Sequence, residues 1–136
     1  MARGAMAADL LTFASRLGVG GPLGSGKQWW SWIHRDDVVG LIQHALRNDA
    51  VRGPLNVVAP TPRQMADFPR VLSHLLHRPS LVPAPAFALR LVFGEVADAL
   101  LLGSQRVSPS QASRTGYTFR YPALEDAFRA ILDAPN

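Results

Sequence analysis

The chain reads as an α/β protein in which helices outnumber short β-rich runs, and three observations carry that reading. Apolar residues recur at helical spacing in several separate segments, most clearly at Val38, Leu41, Ile42, Ala45 and Leu46. Leu55–Asn56–Val57–Val58 is a short β-rich run set between Gly53–Pro54 and Pro60. Tyr117, Phe119 and Tyr121 alternate with polar residues, the pattern of a half-buried strand.

Taken in order, Ala7–Leu17 is expected to be a short helix, with Leu10, Phe13, Ala14 and Leu17 on one face and Gly18 ending it. A glycine-rich loop follows, and Trp30, Trp32 and Ile33 are expected to be briefly extended. Asp36 or Asp37 suits the N-cap of the next helix, where a carboxylate also meets the helix dipole favourably. That helix frays at Asn48–Asp49 and buries Val38, Leu41, Ile42, Ala45 and Leu46. The run Leu55–Val58 is apolar enough for a strand covered on both faces, as in a parallel sheet.

Two starts are open for the helix after it. Thr61–Pro62–Arg63–Gln64 resembles a capping box, but that start leaves Pro69 inside the helix at a cost of about 3 kcal/mol. A start near Gln64 moves Pro69 toward the first turn and is preferred, with the helix running to about His77. Leu81–Val82–Pro83 is a short link. Pro85 opens a helix carrying Phe87, Leu89, Leu91, Val92 and Phe93, which Gly94 either separates from Glu95–Leu102 or bends. Gln105–Val107 is extended, Ser110–Thr115 is a helical turn closed by Gly116, and Pro122 starts a last helix burying Leu124, Ala127, Phe128, Ile131 and Leu132.

Composition narrows the function. The 136 residues suit one domain or a piece of a larger one, with 48% hydrophobic and only 18% charged residues. The absence of cysteine excludes disulfide, thiol and zinc-finger chemistry and makes an intracellular, cytoplasmic location the default. No apolar run approaches the roughly 18 residues of a membrane span, and Met1–Asp9 lacks the apolar stretch of a signal peptide. The net charge of +4 invites a nucleic-acid reading, but the thirteen arginines are spaced singly from Arg3 to Arg129, as on a solvated surface. Neither nucleic acid nor membrane is expected as a partner.

The stretch from Gly18 to Asp37 concentrates the chemistry. It holds five glycines, all three tryptophans and Lys27, the single lysine. Gly21–Lys27 has the G-x-x-x-x-G-K spacing of a phosphate loop, yet Gln28 stands where Ser or Thr should hold Mg²⁺. Trp29–Trp30 follows where a helix N-terminus is needed. His74 and His77 are three apart on one helix, with no Asp, Glu or Cys nearby to complete a metal set. His34 lies between the tryptophans and the carboxylate pair. It could act as a base only if Asp36 or Asp37 fixed its tautomer, so a structural or pocket-lining role is favoured.

The run Gly-x-Gly-Gly-Pro-Leu-Gly-Ser-Gly-Lys-Gln-Trp-Trp-Ser-Trp-Ile-His-Arg-Asp-Asp resembles the epimerase-like branch of the extended short-chain dehydrogenase/reductases. Gly53–Pro60, Phe93–Gly94–Glu95, Gly103–Val107 with Pro109, Gly116–Tyr117 and Tyr121–Glu125 resemble it too. The resemblance implies the C-terminal, substrate-binding part of an extended Rossmann fold. Residues 1–52 would end the Rossmann-like part, and 53–136 would be a small C-terminal domain. It also implies NAD(P), more readily NADP, as cofactor of the intact protein.

What that family needs for chemistry is absent from this chain. With tyrosines only at 117 and 121 and the one lysine at 27, a Tyr-x-x-x-Lys pair is impossible, and the glycine fingerprint is missing. Catalysis and tight cofactor binding are therefore not expected of this chain alone. In nucleotide-sugar epimerases a pattern like Arg-Asp-Phe-Ile-His-Val-x-Asp occurs. Ile33, His34 and Asp37 match it, while Trp30 stands at the Arg position. An indole cannot neutralise a pyrophosphate, so an apolar or aromatic small molecule with a carbonyl or hydroxyl fits better. Gln28, Trp29, Trp30 and His34 are the expected substrate-side residues, with Asp37 anchoring the helix. The expected partners are that small molecule and a Rossmann half or a second copy. The alternative is a non-enzymatic interaction module.

Overall fold

A computed structural model describes residues 21–77, 85–95, 98 and 102–134. The expected helix Ala7–Leu17 and the link Leu81–Pro83 lie outside these residues, as do five of the eight residues of Glu95–Leu102. The elements in chain order are β1 (Trp29–Trp30), α1 (Arg35–Arg47), β2 (Arg63–Gln64), α2 (Asp67–Leu75), α3 (Ala86–Phe93), α4 (Ser110–Arg114) and α5 (Leu124–Leu132). The class is α/β with short strands, as expected. The chain divides into two compact units: the residues up to Trp30 with Arg63–Gln105, and Ser31–Pro62 with Arg106 onward.

In the first unit β1 and β2 pair antiparallel, Trp29 opposite Gln64 and Trp30 opposite Arg63. Met65 and Leu72 are fully buried, with Phe68 and Pro69 beside them as core. Pro69 is the third residue of α2, where its missing N–H costs no helical bond. The later helix start is thus the one adopted, three residues past Gln64. The Gln64 amide, just ahead of the helix, donates to Asp67 Oδ2 at 3.2 Å, which ties the first turn of α2 to β2. Gly94, at φ 59°, ends α3 and separates it from Glu95.

The second unit is built on α1, α4 and α5. Leu41, Ala112, Leu124, Ala127 and Phe128 form its core with Ala59. Thr115 and Gly116, the latter at φ 86°, close α4 as expected. The hydroxyl of Thr61 bonds the Pro122 carbonyl, so no capping box forms.

Four expectations are corrected in this unit. The N-cap of α1 is His34, whose Nδ1 accepts the Asp36 amide at 3.2 Å, so neither Asp36 nor Asp37 caps it. Ile42, Leu46 and Ile131 are not buried but 52%, 81% and 40% exposed. Leu55–Val58 forms no strand; its end is held by the Ala59 amide, which donates to the Trp32 carbonyl at 2.7 Å. Tyr117–Tyr121 keeps its alternating half-burial without joining a ladder, because the Arg120 and Tyr121 amides donate to the Asp37 carboxylate instead of to a neighbouring strand.

Candidate functional site

Three amides of the glycine loop are spent within the protein. Gly26 donates to the Leu23 carbonyl at 3.2 Å, Lys27 to Ser25 Oγ at 3.3 Å, and Leu23 to Met65 Sδ at 3.0 Å. A strand follows the loop, so no helix dipole backs a phosphate there. Gly26 sits at φ 68°, and a Cβ would lie 2.9 Å from Ala66 Cβ. Its glycine serves close packing onto the residue before α2, and the phosphate-loop spacing is coincidental.

Gln28 is buried and donates Nε2 to the Leu23 carbonyl at 3.0 Å, which closes the loop across its base. The Trp29 amide donates to Ser104 Oγ at 3.1 Å, and its carbonyl accepts from the Gln105 amide at 2.9 Å. Trp30 stacks edge-on against Phe68, centroids 5.4 Å apart. Its indole Nε1–H is buried with no hydrogen-bond partner among the described residues. Leaving such a donor unmet costs about 1–3 kcal/mol. The structure thus brings Gln28, Trp29 and Trp30 together in the first unit.

His34 belongs to the second unit, where it is nearly buried. With Nδ1 accepting the Asp36 amide, a neutral ring carries its proton on Nε2. The ring lies 4.0 Å, centroid to centroid, from that of Tyr121. Asp37 is fully buried in the first turn of α1. Its Oδ1 accepts from the Arg120 amide at 2.8 Å and the Tyr117 hydroxyl at 3.0 Å, and its Oδ2 from the Tyr121 amide at 2.9 Å. Asp37 therefore anchors residues 117–121 to α1. Burial first, then the Asp37 hydrogen bond and charge, push the Tyr117 phenol up to about 12, with Arg120 opposing.

Beside this anchor runs a groove of about 750 Å³ that the sequence reading missed. Asp36, Val39, Gly40, Gln43, His44, Arg47 and Asn48 form the α1 wall; Tyr117, Thr118 and Arg120 form the other. None of Gln28, Trp29, Trp30 or His34 lines it. A Cβ at Gly40 would stand 2.2 Å from the Tyr117 hydroxyl oxygen, so a glycine there lets the phenol reach Asp37. Glycine in a helix interior, at roughly 1 kcal/mol relative to alanine, was the available signal. His44 Nε2 and Thr115 Oγ1 share a hydrogen bond at 2.9 Å, the Thr115 hydroxyl also reaches the Gln111 carbonyl, and the Asn48 amide donates to the Thr115 carbonyl at 3.1 Å.

His74 and His77 are exposed at the end of α2, His77 at φ 52°. No described helix is long and apolar enough to cross a membrane.

The domain of unknown function DUF1731 matches residues 84–131. The chain is 47% identical over 113 residues to the chloroplastic homologue of epimerase family protein SDR39U1 from Arabidopsis thaliana, covering 83% of this chain and 32% of that protein. It is 41% identical over 129 residues to the human protein SDR39U1, covering 95% and 43%. Over most of its length the chain is similar to epimerase family proteins. The crystal structure of human SDR39U1 (isoform 2) with NADPH matches 99% of this chain at 36% identity and a TM-score of 0.90. The epimerase-like chain spans less than half of each of these relatives, 46% in that crystal structure.

NADPH is thus a nucleotide bound by an intact family member. The loop with phosphate-loop spacing does not fit a dinucleotide's phosphates: its Leu23, Gly26 and Lys27 amides are engaged internally, and it leads into β1 and not into a helix N-terminus.

Proposed function

We propose that this chain is the substrate-side half of an NADP(H)-dependent, epimerase-like oxidoreductase and that it neither binds the dinucleotide tightly nor catalyses hydride transfer by itself. The observation that carries this is the shared fold over 99% of the chain with less than half of an NADPH-bound protein. Gln28, Trp29, Trp30 and His34 are the substrate-side residues in this reading, Trp30 foremost. Its unmet indole N–H beside Phe68 suits an aromatic or apolar molecule bearing one carbonyl or hydroxyl oxygen. Gln28 shapes the loop that presents the indoles, and His34 contributes by fixing the start of α1.

The test measures NADPH oxidation at 340 nm by the purified chain, alone and after co-expression with the dinucleotide-binding part of a relative. The expected result is none alone and NADPH binding on complementation. Hydride transfer by the chain alone overturns the reading.

A second reading, an interaction module, is favoured by one observation. Val39, Ile42 and Leu46 fall at i, i+3 and i+7 on α1 and are 49%, 52% and 81% exposed. That stripe suits association with a dinucleotide-binding half or with a second copy, and sedimentation of the chain across a concentration series distinguishes a monomer from either assembly.

A further inference from the structure

The groove along α1 carries an inference independent of the dinucleotide reading. Its walls run from Asp36 to Asn48, about 18 Å of helix axis, and its volume lies within the usual range for small-molecule sites. Three side chains in it carry full charge: Asp36, Arg47 and Arg120. The Asp36 carboxylate is engaged by the Arg35 guanidinium at 3.5 Å. Neither Arg47 nor Arg120 has a carboxylate partner among the described residues, and both are exposed. With Asp36 paired to Arg35 and the buried Asp37 carboxylate lying behind Tyr117, the two guanidiniums still leave the groove with a small net positive charge.

The site is also built rather than incidental. Arg120 is held at its backbone by the buried Asp37 carboxylate, which fixes Tyr117 at the same time. The far end is pinned by the His44–Thr115–Asn48 hydrogen bonds. A groove whose walls are already ordered costs little further entropy on binding. The C-terminal carbonyls of α1 disfavour an anion near Asn48, which shifts the centre of negative charge toward Arg120 and the exposed amide of Gln43.

We infer that the groove between α1 and residues 117–120 binds a small organic dianion, of the phosphate or carboxylate class, through Arg47 and Arg120. The planar guanidinium matches both anions by paired N–H donors, so the arginines set the charge and the fork geometry. Gln43 and Thr118 offer neutral hydrogen bonds to the rest of the molecule.

The experiment titrates the full chain with phenyl phosphate and, separately, malonate, following the arginine Nε–H resonances by NMR. Saturable shifts of the Arg47 and Arg120 signals are expected with at least one probe, and whichever binds tighter assigns the class. Arg47→Gln and Arg120→Gln should each weaken binding by about tenfold or more. Arg129→Gln, which removes the same charge from an exposed position on α5, should leave it unchanged. An absence of saturation up to tens of millimolar, roughly the weak limit for a specific site, overturns the inference. So does an equal loss in Arg129→Gln, which would mean diffuse charge attraction. Because all three side chains are exposed, folding is expected to survive, and unchanged amide spectra check it.

Discussion

Replacing Asp37 with asparagine isolates the charge and one oxygen of the anchor while keeping its shape. In the wild-type chain Oδ1 accepts two donors, the Arg120 amide and the Tyr117 hydroxyl, and Oδ2 accepts the Tyr121 amide. An asparagine oxygen can keep the pair at the Oδ1 position only by turning its own NH₂ toward the Tyr121 N–H. One hydrogen bond to a charged acceptor is then lost, about 1.5–3 kcal/mol. The two that remain become neutral bonds of roughly half the strength. The expected cost is about 3 kcal/mol for Asp37→Asn, and about 4–5 kcal/mol for Asp37→Ala, which abandons all three donors. Against a typical total of about 5–15 kcal/mol, the alanine variant approaches the limit of folding. Urea denaturation gives the global value. Amide hydrogen exchange at Arg120 and Tyr121 gives the local one, with a rise of about 100-fold expected for asparagine. If Asp37 acted only as a first-turn charge on the helix dipole, both variants would cost about 0.3–1 kcal/mol and exchange at 120 and 121 would barely change. That result would refute the anchoring argument.

Three further outcomes rest on the same geometry. Tyr117 has a folded-state value raised from 10.0 to about 12, so its contribution to stability is complete below pH 10 and is lost as pH rises to about 12. Absorbance titration at 295 nm should show a late phenolate component that disappears in Tyr117→Phe. Gly40→Ala gains helix propensity of about 1 kcal/mol but sets a methyl 2.2 Å from the Tyr117 oxygen, so a net loss of about 1–3 kcal/mol is expected in thermal melts. A rise in melting temperature would contradict the packing account. Leu46→Lys, at a site 81% exposed, should change stability by less than about 0.5 kcal/mol while abolishing any concentration-dependent association seen by sedimentation.

The features legible in the sequence are those decided within a few residues. Pro69 displaced the helix start because a missing N–H is tolerated only in the first turn, and Gly94 and Gly116 mark stops because each takes a positive φ. What could not be read locally was the destination of polar groups across long separations. Asp37 has the composition of an N-cap, yet its oxygens are filled from positions 117, 120 and 121, more than eighty residues away in two of three cases. That leaves the capping of α1 to His34, a residue whose surroundings had suggested a pocket.

The same diversion explains the lost strand. Residues 117–121 alternate in burial as a strand should, but three of the five amides are already taken, Tyr117 by the Ala112 carbonyl and Arg120 and Tyr121 by the Asp37 carboxylate, so no regular ladder forms. It becomes instead the fixed wall of a groove, and Gly40, the weakest helix former in α1, is the residue that lets that wall come close. A glycine that local propensity opposes is therefore best explained by what must approach it. In α1 that is the Tyr117 hydroxyl on its way to Asp37, and the groove beside it is the consequence.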